Sequence, residues 1–180
     1  MKHQALIQAL PEHAAQVVCI GIGLDTVTAD IHRVAGDAQI TTWDLDTDEL
    51  PQRLPMASGS IHAVLIHGIL RQVDRDELGQ LFAECHRVLG DHGRVVVRDN
   101  LPSYDPYSPR IGRLILRAAG VRYTSNEVFA MMEHAGFWEC LVLRGASRSR
   151  DVVVKGDKVV QRASLDGSTA TPDSTISLVK

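Results

Sequence analysis

Three cysteines in 180 residues, at positions 19, 85 and 140, are too few and too widely spaced for a disulfide framework or a CxxC metal site. They read as reduced, mostly buried thiols. No apolar run approaches the length of a membrane span. The N-terminal stretch MKHQALIQALPEHAAQ also lacks an apolar core followed by a small-residue cleavage site, so the chain reads as cytoplasmic, with no membrane insertion. A basic stripe is missing too. The 19 Lys and Arg are interspersed with 22 Asp and Glu for a net charge of −3, which argues against nucleic-acid binding by electrostatics and favours a small-molecule substrate or a protein partner. No pair of histidines and carboxylates has metal-ligand spacing, so no metal is expected.

What remains is an ordinary globular composition, 44% hydrophobic and 23% charged, at a length that suits one domain with one core. Short β-branched runs at 17–21, 38–43, 62–67, 93–98, 139–143 and 151–155 alternate with helical patterns. This alternation predicts an α/β fold, a doubly wound sheet of six strands with helices on both faces, mostly parallel with an antiparallel edge strand. Leu78, Leu81, Phe82, Cys85, Val88 and Leu89 recur at helical spacing, with Asp74 and Glu77 as a capping pair and Gly90 as the stop. A second helix opens at Thr124 with Glu127 three residues on, carries Val128, Met131, Met132 and Ala135 on one face, and stops at Gly136. The segment from Leu101 to Arg113 is rich in proline and tyrosine and reads as a loop after a strand. Beyond Lys158 the Ser-, Thr- and Asp-rich tail has little to bury, so the domain is expected over 1–158 and a mobile tail over 159–180.

The stretch VVCIGIGLDT, residues 17–26, runs from an apolar strand into two glycines and then a helical pattern. Gly21 and Gly23 fall at the strand-to-helix turn, where small residues let backbone N–H groups approach a polar ligand at a helix N-terminus. A dinucleotide fingerprint would place a third glycine at position 26, where this chain has Thr26, and this weighs against a nicotinamide cofactor. The next strand ends in Asp44, 21 residues after Gly23, the position from which a carboxylate accepts hydrogen bonds from ribose hydroxyls. A solvated acidic loop is the competing reading of DLDTDEL.

The stretches LPMASGSIHAVLIHGIL and ECHRVLGDHGRVVVRDNLP, with NEVFAMMEHAGF further on, resemble the class I S-adenosylmethionine-dependent methyltransferases. The likeness is greatest to the small-molecule, quinone-biosynthesis-like group. It rests on Leu54-Pro55, Gly59-Ser60-Ile61-His62, Arg87-Val88-Leu89, Gly90-Asp91-His92-Gly93 and Ala135-Gly136-Phe137, and it spans roughly residues 15 to 156. The resemblance implies a Rossmann-like fold, S-adenosylmethionine as cofactor, the backbone of Gly21 and Gly23 facing the cofactor's methionine end, and Asp44 on its ribose. Two departures stand out. Cys19 replaces the family's usual acidic residue, and Asp25 replaces its third glycine, where a carboxylate either repels the cofactor's own or caps the following helix.

A third departure follows from chain length. The nine residues 45–53 are too few for a crossover helix and a strand, a connection that needs about 10–12 residues for the crossover alone. One usual edge strand is therefore expected to be missing. Either 38–44 is the family's second strand and the third is gone, or it is the third and the second is gone.

For chemistry, methyl transfer from a sulfonium is a displacement governed by positioning, and one base to deprotonate the acceptor suffices. His67, at the end of the third strand in chain order, is the candidate base, with a hydrogen-bonded wall residue as the alternative. Asp99, Tyr104, Asp105 and Tyr107 are candidates to line the acceptor site. Two functional readings result: a methyltransferase acting on a small metabolite or biosynthetic intermediate, or a methyltransferase-like domain without catalysis that serves as a binding or scaffold subunit. Only about fifteen residues precede the first strand, so a homodimer or a partner protein is one way to complete the acceptor site.

Overall fold

The computed structural model describes residues 4–11, 13–101, 122–144 and 151–159. Its elements follow one another as α1 (Gln4–Ala9), β1 (Gln16–Gly21), α2 (Leu24–Ala35), β2 (Gln39–Asp44), β3 (Ile61–His67), α3 (Arg75–Val88), β4 (Leu89–Asn100), α4 (Ser125–His134), β5 (Trp138–Arg144) and β6 (Asp151–Asp157). The strands form one six-stranded sheet in the order β2-β1-β3-β4-β6-β5. The pairs among β2, β1, β3 and β4 are parallel, and β6 runs antiparallel to both β4 and β5. All six expected strands are present, and the antiparallel pairings lie at one edge of the sheet, made by β6 next to the outermost strand β5.

Both faces of the sheet are covered because the central strands are apolar on both sides. Val18, Ile20, Val64, Ile66, Val95 and Val97 join α3 and α4 in one buried cluster. Val17, Cys19, Ala63, Leu65 and Val96 join α1 and α2 in the other. The helical periodicity is realised in α3, which buries Leu78, Leu81, Phe82, Cys85 and Val88. Both capping boxes form, Asp74 with Glu77 and Thr124 with Glu127, each satisfying N–H groups that the first helical turn leaves open. Gly136 ends α4 with φ 94°, a conformation that favours glycine.

The expected stop at Gly90 is corrected. Helix α3 ends at Val88 with Leu89 as its cap, and β4 begins at once. A Cβ on Gly90 would lie 3.0 Å from the Gly59 carbonyl oxygen, so glycine here reflects a close approach of two turns rather than a left-handed cap. Cys19, Cys85 and Cys140 are free and buried, as expected. Burial pushes the Cys19 thiol up to about 12, so it stays neutral where the resembled family carries an acid.

No strand or helix lies between Asp44 and Ile61, all of which is described. The register Gly21↔Asp44 puts β2 directly beside β1, so the missing strand is the one that would lie outside β2. Gln39, Thr41 and Thr42 are consequently exposed, and the sequence supplies polar side chains for that position. The connection is held instead by Arg87. Its guanidinium donates to the Leu54 carbonyl at 2.9 Å, the Met56 carbonyl at 3.0 Å and the Glu84 carboxylate at 2.7 Å, while Glu84 accepts from the Leu54 N–H at 3.1 Å. Leu54-Pro55 and Arg87-Val88-Leu89, two separated pieces of the sequence resemblance, are thus one packed unit.

This clamp has a pH signature. The hydrogen bond from Arg87 holds the Glu84 carboxyl below its ordinary value, so the folded state binds that proton less readily than the unfolded chain. The stabilisation is present above the unfolded value near 4.5 and is lost as pH falls through the depressed folded value. Thermal melts between pH 7 and pH 3 are expected to show Arg87→Ala with a lower Tm than wild type at pH 7, and the gap should narrow below pH 4.5. A gap independent of pH would place the role of Arg87 in packing alone.

Candidate functional site

The parallel half of the sheet aligns its C-terminal strand ends in register. Gly21 pairs with Asp44 on one side and with His67 on the other, and His67 pairs with Arg98. Three of the residues singled out in the sequence therefore stand side by side along one edge, with Gly23 two residues beyond. In doubly wound sheets, ligands bind at this carboxyl edge where the strand order reverses, here between β1 and β3.

The two glycines are there for different physical reasons. A Cβ on Gly21 would sit 2.1 Å from the His67 carbonyl oxygen, so only glycine lets β1 and β3 approach at this point. The same carbonyl accepts the Ile22 N–H at 3.1 Å. Gly23 has φ 61° and ψ 43°, a left-handed conformation, and a Cβ there would meet nothing within 4 Å. It is the N-cap of α2 and no side chain caps the helix, so the first-turn N–H groups have no side-chain acceptor among the described residues. Asp25 does not fill that role. It lies inside the first turn and is exposed, where its charge is favourable to the helix dipole, and the capping reading of Asp25 is corrected.

Asp44 is half-buried, and its Oδ1 accepts the Asp46 N–H at 3.0 Å. Its carbonyl accepts the N–H groups of Thr47 and Asp48, and Leu45 N–H donates to the Gly21 carbonyl at 2.8 Å. The tight turn after β2 is thereby tied to the glycine segment. Trp43 Nε1 donates to the Glu49 carbonyl at 3.1 Å and closes the same turn. Oδ2 of Asp44 accepts no hydrogen bond among the described residues.

His67 is half-buried, with Nδ1 3.3 Å from the Arg98 carbonyl oxygen. A carbonyl accepts only, so a hydrogen bond here has Nδ1 as its donor. Asp99 differs from its expected role. It is buried, and its carboxylate accepts the Leu70 N–H at 2.9 Å and the Asn100 N–H at 2.6 Å, so it holds backbone rather than presenting an open surface. Tyr104, Asp105 and Tyr107 lie outside the described residues, as does the tail from residue 160. Concavities of about 380 and 210 Å³ open at the opposite end of the sheet, lined by residues such as His62, His92 and Gln39, and share Ser60 and Ile61. They are remote from Gly21, Asp44 and His67. Among the described residues no cluster of His, Cys, Asp or Glu is suited to a metal ion, and no helix is long and apolar enough to cross a membrane.

This sheet order, with its glycine turn at the switch point, is the fold of S-adenosylmethionine-dependent methyltransferases, and solved structures of that class superpose on it. Human N-acetylserotonin methyltransferase in complex with S-adenosylmethionine matches with a TM-score of 0.67 at 12% identity, over 87% of this chain and 51% of that one. PigF, solved with S-adenosylhomocysteine, matches with a TM-score of 0.62 at 11% identity, over 86% and 53%. A methyltransferase from Aquifex aeolicus matches with a TM-score of 0.61 at 13% identity, over 86% and 88%. The chain thus spans about half the length of the first two and most of the third. No protein-family profile and no curated protein sequence matches it. At these identities the likeness is one of fold.

Proposed function

We propose that this protein binds S-adenosylmethionine at the carboxyl edge of β1–β3 and transfers its methyl group to a small metabolite or biosynthetic intermediate. The observation that carries the proposal is the Gly21↔Asp44 and Gly21↔His67 register, which gathers a glycine turn, a carboxylate and an imidazole from three separate sequence segments. Proteins of the same fold solved with S-adenosylmethionine or S-adenosylhomocysteine support this choice of cofactor.

The residues fit such a group. The open space at Gly23 and the N–H groups at the start of α2 suit the polar methionine end. The available oxygen of Asp44 suits a ribose diol, to which a carboxylate accepts charge-assisted hydrogen bonds. When bound, the cofactor supplies an electrophilic methyl on a sulfonium. This chain's own part is to orient it and to receive a proton from the acceptor, for which His67 is the candidate.

The scaffold reading is favoured by two specific features. The neutral Cys19 stands where an acid is usual, and an exposed Asp25 sits in the first turn beside the glycine loop. Calorimetric titration with S-adenosylmethionine, S-adenosylhomocysteine and NAD separates the cases. The expected result is binding of the first two and not of NAD. A flat titration for all three with a folded chain would leave the scaffold reading.

A further inference from the structure

We propose that Asp99 is a positioning residue of the cofactor cleft, acting with Tyr123 to fix the β3–α3 loop, residues 68–74, as a preformed wall beside the glycine turn. This role rests on the cofactor reading above.

The loop leaves β3 next to the glycine segment. A Cβ on Gly68 would lie 3.9 Å from the Ile22 carbonyl oxygen, so the two turns abut. Three hydrogen bonds hold it, two to β4 and one to the segment before α4. The Gly68 N–H donates to the Arg98 carbonyl at 3.1 Å, the Leu70 N–H donates to Asp99 Oδ2 at 2.9 Å, and the buried Tyr123 hydroxyl donates to the Val73 carbonyl at 3.0 Å. Within the loop, Gln72 and Val73 donate to the Ile69 carbonyl, closing one turn. The loop's own Ile69, Leu70 and Val73 are buried.

A buried carboxylate is retained only where its oxygens find donors, and here both accept backbone N–H groups, one of them 29 residues away in sequence. One carboxylate oxygen of Asp99 is thus committed to the loop through Leu70, and the other to the neighbouring Asn100 N–H. Burial holds the Tyr123 phenol above its ordinary value, so it remains protonated and can donate across the accessible pH range. A wall fixed before the ligand arrives avoids the ordering cost on binding, so its loss appears as reduced affinity.

The test is calorimetric binding of S-adenosylhomocysteine by the full chain, comparing wild type, Asp99→Ala, Asp99→Asn and Tyr123→Phe, each with a thermal melt. Asp99→Ala is expected to bind at least about tenfold more weakly, the scale of a lost hydrogen bond to a charged group. Asp99→Asn should recover part of that loss, because its amide oxygen still accepts the Leu70 N–H although its NH2 group cannot accept the Asn100 N–H. Tyr123→Phe should weaken binding by a smaller factor. Wild-type affinity in a folded Asp99→Ala overturns the role, and so does an Asp99→Asn variant as weak as Asp99→Ala, since that would make charge and not geometry the cause. If Asp99→Ala fails to fold, unchanged affinity in Tyr123→Phe overturns it. A wild-type chain that binds no S-adenosylhomocysteine overturns the cofactor reading itself, and this role with it.

Discussion

Asp44→Ala is expected to weaken S-adenosylmethionine binding by about 1.5–3 kcal/mol, roughly 10- to 150-fold, through loss of charge-assisted hydrogen bonds to the ribose. The same change also removes the acceptor for the Asp46 N–H, so a modest fall in stability, about 1 kcal/mol, should accompany it. Asp44→Asn isolates the two effects. Its amide oxygen can keep the turn contact, so the melt should stay near wild type, while one ribose hydroxyl loses its acceptor and affinity still falls. Calorimetry and a thermal melt on both variants decide the point. Unchanged affinity in folded Asp44→Ala would return the residue to a turn-forming role.

The second large effect separates the two glycines. In Gly21→Ala the new methyl would sit 2.1 Å from the His67 carbonyl oxygen, backbone that no side-chain rotation relieves. Strands β1 and β3 must part, at a cost of about 3 kcal/mol or more. A Tm lowered by about 6–12 °C is expected. Gly23 behaves differently. A methyl there meets nothing, and the cost is the left-handed backbone alone, about 1–2 kcal/mol for alanine and less for asparagine, which tolerates that conformation. Gly23→Asn should therefore melt near wild type while its side chain occupies space otherwise open to the cofactor. Lost S-adenosylhomocysteine binding with a near-normal melt is the expected pattern, and retained binding would remove Gly23 from the cleft.

Much of this molecule was readable in its sequence, for local reasons. The six strands were marked by β-branched runs, α3 by its apolar stripe from Leu78 to Val88, and both helix starts by capping pairs three residues apart. These signals depend on side chains close in the chain, so no tertiary knowledge is needed to find them. The missing edge strand was also legible, because the length between Asp44 and His62 leaves no room for it.

Only the tertiary structure decided which strand β2 is, since the choice depends on pairing with β1 and not on anything within residues 38–44. It likewise separated the two glycines, whose sequence context is nearly the same. Gly21 answers to the backbone of His67, 46 residues further along the chain, and Gly23 to its own dihedral angles. It gave Asp25 an exposed first-turn position in place of a capping one, and it turned Asp99 from an apparent lining residue into an anchor for the Leu70 N–H. The physical reason is common to the β2, Gly21 and Asp99 cases. Hydrogen-bond partners and steric neighbours across strands are set by register, and register is fixed by the packing of the whole sheet, which no single segment encodes.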